Sequence, residues 1–139
     1  MEISAELLEQ IVAHAREEAP NECCGVIAFE PAAAGQPGER PARAVRAHRA
    51  VNTAASPLRF EIDGREVLSL IEQIEDEGLE LGAIYHSHTR TAPYPSQTDI
   101  NFAAHWPGVQ WLIVGLAAGA APEVRSYLID DGQVTEVAI

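Results

Sequence analysis

The sequence predicts an α/β (α+β) protein in which a mixed β-sheet is packed against helices. Three observations carry that expectation. A helix-period apolar stripe opens the chain, apolar runs of strand length recur after it, and two further helix patterns separate those runs. At 139 residues, 47% apolar and 22% charged, the chain has the size and composition of one globular domain spanning residues 1–139. It contains no internal repeat.

Taken in order, Ser4 caps a helix running to about Glu18, with Leu7, Leu8, Ile11, Val12 and Ala15 at helical spacing, and Pro20 ends it. Residues 23–29 (CCGVIAF) form a short apolar run that predicts a buried strand, and residues 31–41, rich in Pro, Gly and Ala, predict a surface connection. Residues 43–51 alternate as a strand does, and residues 58–62 predict another, with Phe60 and Ile62 on one face. A helix over residues 65–77 follows, with Val67, Leu68, Ile71 and Ile74 inward and Gly78 as its stop. Residues 79–88 (LELGAIYHSH) predict a strand that begins apolar and ends in histidines, and Ser96 opens a shorter helix to about His105, closed off by Pro107 and Gly108. Residues 109–116 (VQWLIVGL) predict a buried strand, and residues 125–129 and 133–137 a hairpin around Asp130, Asp131 and Gly132.

The formal net charge of −12 opposes binding to a phosphate backbone, which requires Lys and Arg to neutralise it, so no nucleic-acid partner is expected. All nine basic residues are arginine, and Arg40, Arg43, Arg46, Arg49, Arg59 and Arg65 fall between positions 40 and 65. They predict a solvated face or, alternatively, a basic strip for an acidic partner. No apolar run approaches the ~20 residues of a membrane helix, and MEISAELLEQ carries acids where a secretory signal would be basic, so a cytoplasmic location without membrane association is expected. Cys23 and Cys24, adjacent on a strand, point to opposite faces and are expected in the core rather than in a disulfide. His14, His48 and His105 are expected to be structural.

The segment HSHTRTAPYPSQTD, residues 86–99, fits no simple amphipathic template. His86 and His88 lie two apart at a strand's end and so aim two imidazoles at one point, while Ser87 faces away. That is metal-ligand spacing. A hydrolytic zinc site takes about three protein ligands and leaves a fourth position to water, and Asp99 is the candidate third ligand. Ser96 and Asp99 also have the spacing of a helix capping box, worth about 0.3–1 kcal/mol, and alone they would be no more than that. The loop of residues 89–95, stiffened by Pro93 and Pro95, can return the helix start to the histidines, so one Zn2+ per chain is expected. Glu22, just before the apolar strand, is the candidate proton carrier; after Pro20 and Asn21 it could equally be a surface turn residue.

These residues resemble the full signature of the JAMM (MPN-plus) zinc metalloproteases: Glu22 upstream, then His86, Ser87 and His88, seven residues, Ser96, two residues and Asp99. PNECCGVI, VNTAASPLRFEID and SYLIDDGQVTEV are similar to further segments of bacterial members, so the resemblance covers almost the whole chain. It implies that family's fold, a curved mixed sheet flanked by helices and akin to the cytidine deaminases. It also implies hydrolysis of a peptide or isopeptide bond after the C-terminal tail of a ubiquitin-like protein. Carried over, His86, His88 and Asp99 would bind zinc, Glu22 would act as general base and acid, and Ser96 would stabilise the oxyanion. YHSHT followed by YPS most resembles the Mec-type subgroup, whose partner is a sulfur-carrier protein of the CysO type bearing cysteine on its Gly-Gly tail.

Other readings fare worse. A non-catalytic scaffold of the same fold would have lost ligands that this chain keeps. A nucleobase deaminase needs a cysteine pair spaced by two and a histidine followed by glutamate, which are absent. An HxH amidohydrolase barrel needs about 250 residues. Deconjugation of another ubiquitin-like protein is the remaining alternative.

Overall fold

The computed structural model describes residues 1–31, 42–117 and 121–139. The order is α1 (Ala5–Glu18), β1 (Cys24–Phe29), β2 (Ala44–Ala50), α2 (Gly64–Asp76), β3 (Glu80–His88), α3 (Gln97–Ala103), β4 (Gln110–Gly115), β5 (Glu123–Asp130) and β6 (Gln133–Val137). The strands make one six-stranded mixed sheet in the order β2-β1-β3-β4-β5-β6. Only β3 and β4 run parallel, joined through α3; every other neighbouring pair is antiparallel. The mixed α+β architecture is therefore as the sequence predicts. Of the surface connection expected over residues 31–41, residues 32–41 lie outside the described residues.

Strand parity divides the core in two. Val26, Ile84, Trp111 and Ile113 face α2 and α3, with Leu70, Ile74 and Ala103 packed on them. Ile27, Tyr85, Leu112 and Val114 face α1, with Leu7, Ile11 and Ala15 on them. With both faces covered, β1 and β4 are near-continuous apolar runs, as central strands must be. Cys24 belongs to the first core and Cys23 to the second, both free and buried, as expected of neighbours on a strand. His14 is buried against Tyr85, its Nδ1 2.7 Å from the phenolic oxygen.

Local chemistry sets the element ends. Ser4 accepts from Leu7 N and opens α1. Gly78 ends α2 at φ 75, with Leu79 N donating to Ile74 O and Gly78 N to Glu75 O, the two bonds of a Schellman motif. Asp131 (φ 49) and Gly132 (φ 76) supply the left-handed pair that a tight two-residue hairpin between β5 and β6 requires.

Three expectations are corrected. Residues 58–62 form no strand: Thr53 N donates to Glu61 O, and the side chain of Asn52, not a neighbouring strand, takes Arg59 O and Glu61 N. Phe60 and Ile62 do both reach the first core. On α2 the inward stripe is Val67, Leu70, Ile71 and Ile74, and Leu68 stands 62% exposed, because one helix face can hold the i, i+3, i+4, i+7 set only. The third helix is also shorter than predicted, its C-cap being Ala104. Among the clustered arginines, Arg43, Arg46, Arg49 and Arg59 each meet a surface acid (Glu30, Glu77, Glu17 and Glu61), which makes them a solvated face.

Candidate metal centre

The sheet brings the predicted residues to one place through two registers. β1 and β3 are antiparallel with Cys24 opposite His86, so continuing that register by two residues sets Glu22 opposite His88. Strand parity puts Glu22 on the same side as His86 and His88, the face covered by α2 and α3, while Ser87 turns to the other side, where its Oγ accepts from Cys23 N at 2.8 Å. The histidines end β3, beside the parallel partner β4. The carboxyl ends of adjacent parallel strands are where crevices open in α/β sheets.

The loop of residues 89–95 then returns the chain. Pro93 packs on Gly115, where a Cβ would lie 2.8 Å from the proline ring, and Tyr127 donates its O–H to Pro93 O at 2.5 Å. So held, Ala92 O lies 2.9 Å from His88 Nδ1. α3 begins with a complete capping box: Ser96 Oγ accepts from Asp99 N at 3.1 Å, and Asp99 Oδ2 accepts from Ser96 N at 2.9 Å. Both readings of the serine and aspartate are thus compatible, because the cap is what aims the carboxylate.

Asp99 Oδ2 lies 3.1 Å from His86 Nε2 and 3.2 Å from His88 Nε2, and the two nitrogens are 3.1 Å apart. All three side chains are buried. Ala92 O can only accept, so His88 carries a proton on Nδ1, and in the neutral ring Nε2 is left with a lone pair. Three electron-rich atoms facing one another call for a shared proton or a cation. Four tetrahedral nitrogen or oxygen ligands at about 2.0–2.1 Å from zinc would stand roughly 3.3 Å apart, close to the spacing found here. The donor set therefore suits zinc. An oxygen of Glu22 also lies within 4.8 Å of a nitrogen of each histidine, so a second carboxylate reaches the same imidazoles.

The electrostatics separate the two acids. Burial alone would push Asp99 up, but a proton shared with the facing nitrogens of His86 and His88, and the hydrogen bond from Ser96 N, hold its carboxyl well below the usual range. Glu22 is 4% exposed and its Oε1 has no hydrogen-bond partner among the described residues; burial drives its carboxyl up to about 7, partly offset by His88 and reinforced by Asp99. Burial lowers His86, whereas in His88 the bonds to Asp99 and Ala92 outweigh burial and raise it. The cysteines offer no nucleophile, since burial lifts Cys23 to about 11 and Cys24 to about 12.

Glu22, His86, His88 and Asp99 thus converge, and Ser96 reaches them through the cap. The sequence placed Phe60 inward but did not tie it to the site, where it stacks on His86 with ring centroids 4.6 Å apart and planes at 28°. Nor did it mark Ala92, whose part is played by a backbone carbonyl and leaves no trace in residue type.

Residues 4–130 match the family described as prokaryotic homologs of the JAB domain. The chain is 38% identical over 135 residues to the CysO-cysteine peptidase of Mycobacterium tuberculosis, covering 96% of this chain and 86% of that one. It is 39% identical over 119 residues to the desampylase of Haloferax volcanii, covering 81% and 78%. The solution structure of a Desulfitobacterium hafniense protein superposes with a TM-score of 0.80 at 30% identity, over 96% of this chain and 87% of that one.

Proposed function

The chain belongs to the prokaryotic homologs of the JAB domain, and from that premise we propose that it is a zinc metallopeptidase cutting the bond after the C-terminal tail of a ubiquitin-like protein. The observation that carries this reading is the convergence of His86 Nε2, His88 Nε2 and Asp99 Oδ2 at 3.1–3.2 Å beside the buried carboxylate of Glu22. In this reading His86, His88 and Asp99 hold the ion. Bound there, zinc would polarise the scissile carbonyl and make a water acidic enough to attack near neutral pH.

The chain's own groups move the protons. Glu22, with a carboxyl near 7 and a free Oε1, takes the proton of the attacking water and returns it to the departing amine. Ser96 Oγ is occupied as an acceptor by Asp99 N, which leaves its O–H to donate to the developing oxyanion. Cleavage needs no covalent intermediate.

For the substrate, the likeness to the CysO-cysteine peptidase supports a sulfur-carrier protein whose Gly-Gly tail bears a cysteine, with release of free cysteine in the cytoplasm as the outcome. The desampylase likeness supports a second reading, deconjugation of a ubiquitin-like protein from another protein. Mass spectrometry decides between them. Zinc-loaded protein is incubated with a carrier ending in Gly-Gly-Cys and, separately, with a carrier joined to a lysine side chain. Loss of one cysteine mass by wild type and not by Glu22→Gln supports the first reading, cleavage of the lysine conjugate alone supports the second, and cleavage of neither rejects both.

A further inference from the structure

Glu22 precedes β1, so no sheet ladder holds its peptide. Residues 52–61 take both of its backbone polar groups instead: its N–H donates to Ser56 O at 2.9 Å, and its carbonyl accepts from Asn52 Nδ2 at 3.0 Å. Among the described residues the side chain gains no anchor, since Oε1 is buried without a partner there. Where the carboxylate stands is therefore set by where that segment holds the peptide.

The segment is organised by Asn52. Besides Glu22 O, its Nδ2 donates to Arg59 O at 3.1 Å, and its Oδ1 accepts from Ala54 N at 3.0 Å and Glu61 N at 3.1 Å. Those four bonds use the full capacity of an amide side chain. The turn they close leaves Ala55 at φ 44, a left-handed conformation costing an L-residue about 1–2 kcal/mol and kept only where other bonds over-determine the backbone. One residue beyond the carbonyl that Asn52 holds, Phe60 stacks on His86. His88 has Ala92 O to orient its ring, but His86 Nδ1 has no hydrogen-bond partner among the described residues, and the Phe60 stack is the contact that orients that ring.

We propose that Asn52 is a positioning residue for the site: a single amide places Glu22 through its peptide and His86 through Phe60. The inference goes beyond the roles proposed for Glu22 and His86, resting on that of His86 for its zinc arm and on that of Glu22 for its kinetic arm. Asn52→Asp keeps the shape and both acceptors but turns an acceptor toward Glu22 O and Arg59 O, and Thr53→Val, which removes a neighbouring bond to Glu61 O, controls for general loosening of the loop.

The full-length protein is used, with zinc affinity measured by chelator competition, and kcat and KM measured on the tail substrate. Asn52→Asp should weaken zinc binding about 10–100-fold and lower kcat about 10²-fold, with KM changed less than about two-fold. Phe60→Leu should weaken zinc to a similar extent but retain more of kcat at saturating zinc, because the peptide of Glu22 is undisturbed. A folded Asn52→Asp with wild-type zinc affinity overturns the proposal, as does a Thr53→Val with equal losses. If Asn52→Asp does not fold, Phe60→Leu decides, and unchanged zinc affinity there is the overturning result. If the wild type cleaves no tail substrate, the proposed function fails while the zinc measurements still judge Asn52.

Discussion

Replacing Glu22 with glutamine should stabilise the metal-free fold while removing activity, and the stabilisation should depend on pH in a way that identifies its cause. Burial raises the Glu22 carboxyl from its ordinary 4.5 to about 7. Below 4.5 it is protonated in both folded and unfolded chains and costs nothing. Between 4.5 and 7 the unfolded chain ionises while the folded one stays protonated, so stability falls as pH rises; above 7 the full penalty persists. At about 1.36 kcal/mol per pH unit that penalty is at most about 3 kcal/mol, and solvent at the site mouth reduces it toward about 1.5. Glutamine is isosteric with the protonated acid and never ionises. Urea unfolding of chelator-treated protein should therefore give wild type and Glu22→Gln nearly equal stability at pH 4.5 but a gain of about 1.5–3 kcal/mol for the variant at pH 8. The same variant, reloaded with zinc, should bind it stoichiometrically and lose about 10²–10⁴ in turnover. A stability difference that stays flat from pH 4.5 to 8 would refute the electrostatic argument, and near-wild-type turnover would refute the proton-carrying role.

Three further outcomes are expected. Gly115→Ala sets a Cβ 2.8 Å from the Pro93 ring and should cost about 1–3 kcal/mol in urea unfolding, together with about tenfold in zinc affinity, because Pro93 adjoins the carbonyl that orients His88. Asp99→Asn keeps the helix cap's shape but loses the anionic ligand, so metal analysis after gel filtration should find far less than one zinc per chain, with thermal stability of the metal-free protein lowered by about 1 kcal/mol or more. Iodoacetamide under native conditions should leave both activity and mass unchanged, since Cys23 and Cys24 are buried and held at about 11 and about 12, and rapid alkylation would contradict that burial.

How much of this was legible in the sequence depended on how local each signal was. Helix α1 and strands β1 and β4 could be read directly, because an apolar stripe or run between breakers is local information. The phase of α2 was half legible: Val67, Ile71 and Ile74 were placed inward correctly, but two leucines at positions 68 and 70 compete for one face, and only the packing partner chooses Leu70. Residues 58–62 alternate like a strand and do send Phe60 inward, yet their backbone partner is an asparagine side chain, which no periodicity reveals. At the site, His86, His88 and Asp99 lie within one short segment and are related by strand parity and a helix cap. Glu22 lies far from them in sequence and arrives through the pairing of Cys24 with His86, a register that the sequence does not print. Phe60 was legible as inward-facing and Asn52 as part of a segment that resembles the family, but nothing in either residue type tied them to His86 or to the peptide of Glu22.

The two acids at the centre explain why a capping box sits in such a place. An acid buried to 5% exposure is normally pushed toward its neutral form, but Asp99 receives Ser96 N and faces both imidazoles through the same oxygen, so it stays ionised. Folding the start of α3 orders that carboxylate before any cation arrives, which spares the metal-binding step the entropy of immobilising a ligand. Glu22, nearby, receives nothing at Oε1, and the same burial leaves it near 7, where a carboxyl can both accept and return a proton at neutral pH. Two carboxylates in one pocket are thus driven in opposite directions, Asp99 down by its hydrogen-bond partners and Glu22 up by burial without them, which is the pattern the proposed roles of ligand and proton carrier require. Moving the helix cap by one residue would undo this arrangement: Asp99 would lose the bond from Ser96 N and its place facing both imidazoles, leaving Glu22 as the carboxylate within reach of them.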